Sequence, residues 1–70
     1  MKDIDIERYI NLQIRVTCSD GEAIVGELYG YNYDYDDAGN EFIEIDIERY
    51  SDGVLVSVTD DEIVSIEVVN

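Results

Sequence analysis

Apolar and polar residues alternate along most of this chain with a period of two. Ile10, Leu12, Ile14, Val16 and Cys18 alternate with Asn11, Gln13, Arg15, Thr17 and Ser19, the pattern of a strand with one buried face. Ser19-Asp20-Gly21-Glu22 follows as a tight turn, because an Asp-Gly pair supplies the positive φ that hairpins require. A second strand is predicted from Ala23 to about Tyr33, its inward set beginning Ile24, Gly26, Leu28. Gly30 offers a place for a kink or bulge, after which the inward parity switches to Tyr31.

Asp34 to Glu41 reads as an acidic loop with Gly39-Asn40 as its turn element. Ile43, Ile45 and Ile47 then alternate with Glu44, Asp46 and Glu48, which predicts a third strand with a charged outer face. Ser51-Asp52-Gly53 is the next hairpin turn, and Val54, Val56 and Val58 form the fourth strand. Thr59-Asp60-Asp61 turns the chain into a fifth strand over Ile63–Val69. Five short strands at close spacing, without a proline, predict an all-β fold: a small closed or nearly closed barrel. The lead-in over residues 3–11 suits a short helix, with Asp3 as N-cap and acids early, although Ile4-Asp5-Ile6 also alternates like a strand. Ile-Asp-Ile-Glu-Arg-Tyr occurs at Ile4–Tyr9 and again at Ile45–Tyr50, too few copies for a repeat architecture.

Seventy residues allow a single domain, 1–70, with the barrel over 12–69. A chain of this size buries only about 60% of the surface its unfolded form exposes. Its apolar fraction of 46%, mostly Ile, Val and Tyr, is nonetheless that of a folding sheet rather than an acidic tail. Eighteen carboxylates face four cations, Lys2, Arg8, Arg15 and Arg49, for a formal net charge of −14. Nucleic-acid binding draws on cations that displace counterions from phosphate, so this balance speaks against DNA, RNA and anionic membrane as partners. It leaves solubility as one reading of the charge and a basic protein partner as the sharper one. A single cysteine permits no internal disulfide, and no apolar signal region or membrane-length run is present, so the expectation is a cytoplasmic protein.

Catalytic chemistry finds little to work with. There is no histidine, and Cys18 lies on the apolar parity of its strand, where a buried filler is expected. Asn32-Tyr33-Asp34-Tyr35-Asp36-Asp37 resembles the opening of a calcium loop but has Asp37 where the sharp-turn glycine belongs and Ile43 where the bidentate acid belongs. No catalytic residue, metal site or cofactor is therefore assigned. The tyrosines are more specific. Tyr29, Tyr31, Tyr33 and Tyr35 recur at every second position, so on an unbroken strand they share one face. One reading has Tyr31 in the core and the others covering the end of the barrel. The other is an exposed aromatic patch of Tyr29, Tyr33 and Tyr35 rimmed by Asp34, Asp36 and Asp37, suited to a protein partner.

The order of helix, strand, Asp-Gly turn and long bent strand resembles the Sm-like family of SH3-like barrels. The matching run is Val16-Thr17-Cys18-Ser19-Asp20-Gly21-Glu22-Ala23-Ile24-Val25-Gly26-Glu27-Leu28-Tyr29-Gly30-Tyr31, with Asn40 standing where the family's first motif places its Asn. Ile63-Val64-Ser65-Ile66-Glu67-Val68 looks like the closing strand. The resemblance implies a five-stranded barrel with a short N-terminal helix, able to pair the edges of its fourth and fifth strands into homo-oligomers. In place of the basic-glycine pair that such RNA binders carry between their last two strands, this chain has Thr59-Asp60-Asp61-Glu62. Acidic members of this broad fold group include proteins that bind other proteins, some of them blocking an RNA-binding surface. The sequence therefore reads as a non-catalytic acidic module for a protein partner with a basic surface. The rivals are a self-assembling ring and an RNA binder, the latter needing a basic patch.

Overall fold

In the computed structural model, which describes residues 1 and 4–69, the period-two pattern becomes five strands: Gln13–Cys18 (β1), Ala23–Tyr35 (β2), Glu41–Arg49 (β3), Leu55–Thr59 (β4) and Ile63–Val68 (β5). All neighbouring pairs are antiparallel, and the strands lie in the order β4-β3-β2-β1-β5. The inward set forms one cluster: Ile14 and Val16 from β1, Leu28 from β2, and Ile45 and Ile47 from β3 are almost fully buried. Val58 of β4 and Ile63 of β5, from opposite ends of the strand order, join the same cluster, so the sheet curls over its own apolar face.

The sheet does not close. The expected barrel is thus realised, among the described residues, as an open five-stranded antiparallel sheet whose ladder ends at β4 and β5. β4 pairs with β3 alone over its five residues, and β5 pairs with β1 alone. A 3-10 helix, Asp60–Glu62, turns the chain between them.

The lead-in differs from expectation too. It is a single 3-10 turn, Ile6–Tyr9, with Asp5 at the N-cap position making no side-chain cap bond; the Asp3 cap lies outside the described residues. Ile6 drops into the core and Ile4, Tyr9 and Ile10 pack against it, so the segment covers part of the sheet's inner face. Asn11, at a φ of 64°, then redirects the backbone, and β1 starts only at Gln13. Leu12, expected inside, is consequently exposed. On β5, a register shift opposite Thr17 and Cys18 leaves Val64 unpaired and outside. Val54, expected in the fourth strand, precedes β4 and is exposed.

Gly26 is required by close approach. A Cβ there would run into the Glu48 carbonyl oxygen and sit 2.9 Å from Ile47 Cγ2, so β2 and β3 pack together only because position 26 lacks a side chain. Two residues on, the β2–β3 register shifts between Leu28 and Gly30, a bulge of the kind that the glycine signalled. Leu28 faces Ile47 before it, and Tyr31 faces Ile45 after it, so the inward parity does switch. No helix among the described residues is long and apolar enough to cross a membrane.

Candidate functional site

β1 accompanies β2 only from Ala23 to Glu27, and β4 reaches β3 only as far as Glu44. Beyond those points β2 and β3 continue alone, with Tyr33 opposite Ile43, Asp34 opposite Phe42 and Tyr35 opposite Glu41. The result is a two-stranded arm, and the molecule's extents of 37 × 24 × 20 Å reflect an elongated body. A free two-stranded ribbon is only marginally stable in water. Here Asp36 holds the tip. Its Oδ1 accepts the backbone N–H groups of Ala38 (3.0 Å) and Asn40 (2.8 Å), and its Oδ2 accepts from Asn40 Nδ2 at 3.4 Å. Those bonds, led by the Asn40 amide, hold the Asp36 carboxyl below the usual range. Gly39, at a φ of 84°, donates its N–H to the Asp36 carbonyl and completes the turn.

The bulge divides the tyrosines. Before it the even positions face inward, so Tyr29 lies on the outer side; after it the odd positions do, so Tyr31, Tyr33 and Tyr35 follow the side of Ile45 and Ile43. The single face expected of an unbroken strand is therefore split, with Tyr29 apart from the rest. Tyr31 is half-buried, packs against the core, meets Tyr33 edge-on with ring centroids 5.9 Å apart, and donates from its hydroxyl to Glu7 Oε1 at 3.0 Å. That bond, more than desolvation, pushes the Tyr31 phenol up. Tyr29, Tyr33 and Tyr35 are 64%, 50% and 65% exposed, and Asp34, Asp36 and Asp37 are exposed beside them. Asp34 and Asp36 have local work, since Asp34 Oδ1 accepts the Tyr35 N–H at 2.8 Å.

Two hollows lie beside the arm, of about 420 and 340 Å³. The larger is walled by Ile4, Tyr33, Phe42 and Ile43, with Asp5, Glu41 and Asp60 as its carboxylates. The smaller continues past Phe42 to Asp36, Thr59 and Asp61, again with Asp60. Asp60 is 5% exposed, the one buried charged residue among those described. It is placed by its 3-10 turn, where the Thr59 N–H donates to Glu62 Oε1 at 3.2 Å and the Thr59 hydroxyl is within reach of both Asp61 and Glu62.

The sequence reading missed Phe42 and Asp60. Phe42 left a signal, as the aromatic on a strand parity otherwise held by Glu44, Asp46 and Glu48. Asp60 left none, since nothing local distinguishes it from its acidic neighbours. Elsewhere the described arginines are engaged singly: Arg49 makes a two-pronged pair with Asp52 (3.0 and 2.6 Å), Arg15 lies 3.9 Å from Glu67, and Arg8 sits over the Tyr9 ring. Cys18 is buried in the core, where desolvation, then Asp20, Glu62 and Glu22, push its thiol up. Among the described residues no three His, Cys, Asp or Glu side chains converge as metal ligands would. The chain matches no protein-family model, and neither curated proteins nor solved structures contain a match to it.

Proposed function

We propose that this is a non-catalytic acidic module of the Sm-like kind that binds a protein with a basic surface, masking a surface that otherwise holds nucleic acid. The observation that carries the reading is the arm. It presents Tyr33 and Tyr35 to solvent among Asp34, Asp36, Asp37 and Glu41, with no cation in that segment. Exposed tyrosines supply rigid contact area at low entropic cost, and the surrounding carboxylates steer a cationic partner toward them. Tyr29, on the other side of the bulge, extends the contact only for a partner that wraps the arm. Aromatic stacking of nucleic-acid bases requires a basic groove beside the rings, and the arm supplies acids. The strand order with β4 and β5 at the edges, the Asp20-Gly21 hairpin and the bent β2 support the Sm-like part of the reading.

The test is capture on the immobilised protein from a host lysate, elution by salt, and calorimetry on the purified partner. Affinity is expected to fall steeply as salt rises from about 50 to 500 mM, since that shortens the screening length several-fold. It is also expected to fall on Tyr33→Ala and Tyr35→Ala. Affinity indifferent to salt and to both substitutions refutes the reading.

A second reading has its own observation. Among the described residues no further strand pairs the outer edge of β4 or of β5, and exposed Leu55 on β4 and Val64 and Val68 on β5 lie along them, the form of surface through which copies add strands to one another. Light scattering decides it: a monomer at low and high salt removes the assembly.

A further inference from the structure

From the backbone ladder of the arm we infer that the partner binds as an added strand: a basic, extended segment pairs antiparallel with the outer edge of β2 from Tyr31 to Tyr35. The inference rests on the proposed function and names how the arm holds that partner.

The ladder decides which main-chain groups face outward. Along an antiparallel pair, opposed residues alternate between pairs that exchange both backbone bonds and pairs that exchange none. The Asp36 N–H donates to the Asn40 carbonyl at 2.9 Å, and Asp34 with Phe42, then Asn32 with Glu44, continue the same register. The even positions of β2 therefore direct their main-chain groups to β3, and those of Tyr31, Tyr33 and Tyr35 point the other way. The Tyr35 N–H agrees with this direction, since it donates to Asp34 Oδ1 at 2.8 Å. β1 and its lead-in take that side of β2 only as far as Leu28, whose N–H donates to the Leu12 carbonyl at 3.1 Å and whose carbonyl accepts from the Asn11 N–H at 3.0 Å. From Tyr31 onward no strand among the described residues takes their place.

A strand edge in this state is a template for another strand, whose main chain supplies affinity and whose alternate side chains supply specificity. Charge names the occupant. Directly opposed residues of a sheet share a face, so an added strand lays alternate side chains beside Tyr31 and Tyr33 and the remainder beside Asn32 and Asp34, with Glu44 across the ladder from Asn32. No lysine or arginine occurs between Tyr29 and Glu48, and Asp36 and Asp37 continue the acidic run at the tip. A second copy offering the same edge would bring two sets of these carboxylates together, whereas a segment with cations at every second position and apolar residues between them matches both faces.

The test uses the folded chain and a capped peptide alternating lysine with valine, made in two N-methylated forms. Valines opposite the tyrosines make the backbone bonds, while lysines opposite Asn32 and Asp34 turn their N–H groups to solvent. N-methylation of the valines is expected to weaken binding by about tenfold or more, the scale of one or two lost backbone bonds, and N-methylation of the lysines to leave it unchanged. Hydrogen exchange gives the second readout: saturating peptide slows the Tyr31 and Tyr33 amides more than those of Asn32 and Asp34, which are bonded to β3 already. Equal affinity for the two N-methylated forms, or no slowing at Tyr31 and Tyr33, overturns the inference without depending on any variant. Slowing that grows with protein concentration in the absence of peptide gives the edge to a second copy and overturns it as well. The two proposals fail separately. A captured basic protein that binds with salt-sensitive affinity yet leaves the Tyr31 and Tyr33 amides exchanging as before removes the added strand and leaves the proposed function standing. Peptide addition at this edge in a chain that captures no basic partner keeps the strand acceptor and removes the proposed function.

Discussion

Replacing Gly26 with alanine tests the close packing of β2 on β3. The new Cβ would overlap the Glu48 carbonyl oxygen and lie 2.8 Å from the Glu48 carbonyl carbon and 2.9 Å from Ile47 Cγ2, against a comfortable carbon–carbon separation of about 3.5–4.0 Å. Two of the three clashing atoms are backbone, so no side-chain rotation relieves them, and β2 and β3 must separate. Forcing a methyl group into packed structure costs about 1–3 kcal/mol, with a backbone clash at the upper end. Alanine recovers about 0.4–1 kcal/mol by stiffening the unfolded chain. The net loss is about 2 kcal/mol, from a total of about 4–10 kcal/mol for seventy residues. In urea unfolding followed by circular dichroism, at about 1 kcal/mol per M for a domain this small, the midpoint is expected to fall by about 2 M. Gly30→Ala is the internal control, because a Cβ there meets nothing within 4 Å and its φ is not in the left-handed region. Its midpoint is expected to hold or rise slightly. Equal midpoints for the two variants would refute the close-approach argument.

Three further outcomes are expected. Ile45→Ala, at a fully buried position beneath Tyr31, opens a cavity costing about 2–5 kcal/mol and lowers the urea midpoint more than Gly26→Ala or brings it close to zero. Asp52 has its carboxyl pulled below the usual range, first by the Arg49 side chain and then by the Val54 amide. Its contribution is therefore complete above the unfolded value of about 3.9 and is lost as pH falls through the folded value. The melting-temperature gap between the parent and Asp52→Asn should accordingly be constant near neutrality and close in acid; a gap that widened in acid would contradict that sign. Burial and surrounding carboxylates raise the Cys18 thiol, so thiol-reagent labelling of the native protein near neutral pH should be far slower than in denaturant, and equal rates would place Cys18 outside the core.

How far the fold was legible can be followed residue by residue. The Ile43-Ile45-Ile47 alternation located the inner face of β3, and Gly30 announced the β2 bulge within a residue of where the register shifts. Such signals are local, written in side-chain period and backbone freedom. Leu12 and Val64 obeyed the same alternation and finished outside, because a left-handed Asn11 and a register shift opposite Cys18 reset the parity next to them. The exposure of Tyr33 and Tyr35 was partly visible, since acids surround them. The separation of Tyr29 from that group was implicit in the bulge, yet the every-second-residue spacing suggested one face.

By itself, then, the chain's pattern determined five strands, the turns between them and the inner faces of β1 and β3, because period and turn chemistry act between near neighbours. Tertiary structure decided that the sheet stays open, because pairing of β4 with β5, remote in strand order, depends on the curl of the whole sheet and on no local segment. It also decided that β2 and β3 outrun their partners to form an arm, and that one acid among the described residues, Asp60, is covered. Burial of a charge is a property of what folds around it, and at Asp60 the 3-10 turn packs against β3 while the Met1 ammonium donates to the Asp60 carbonyl from the far end of the sequence.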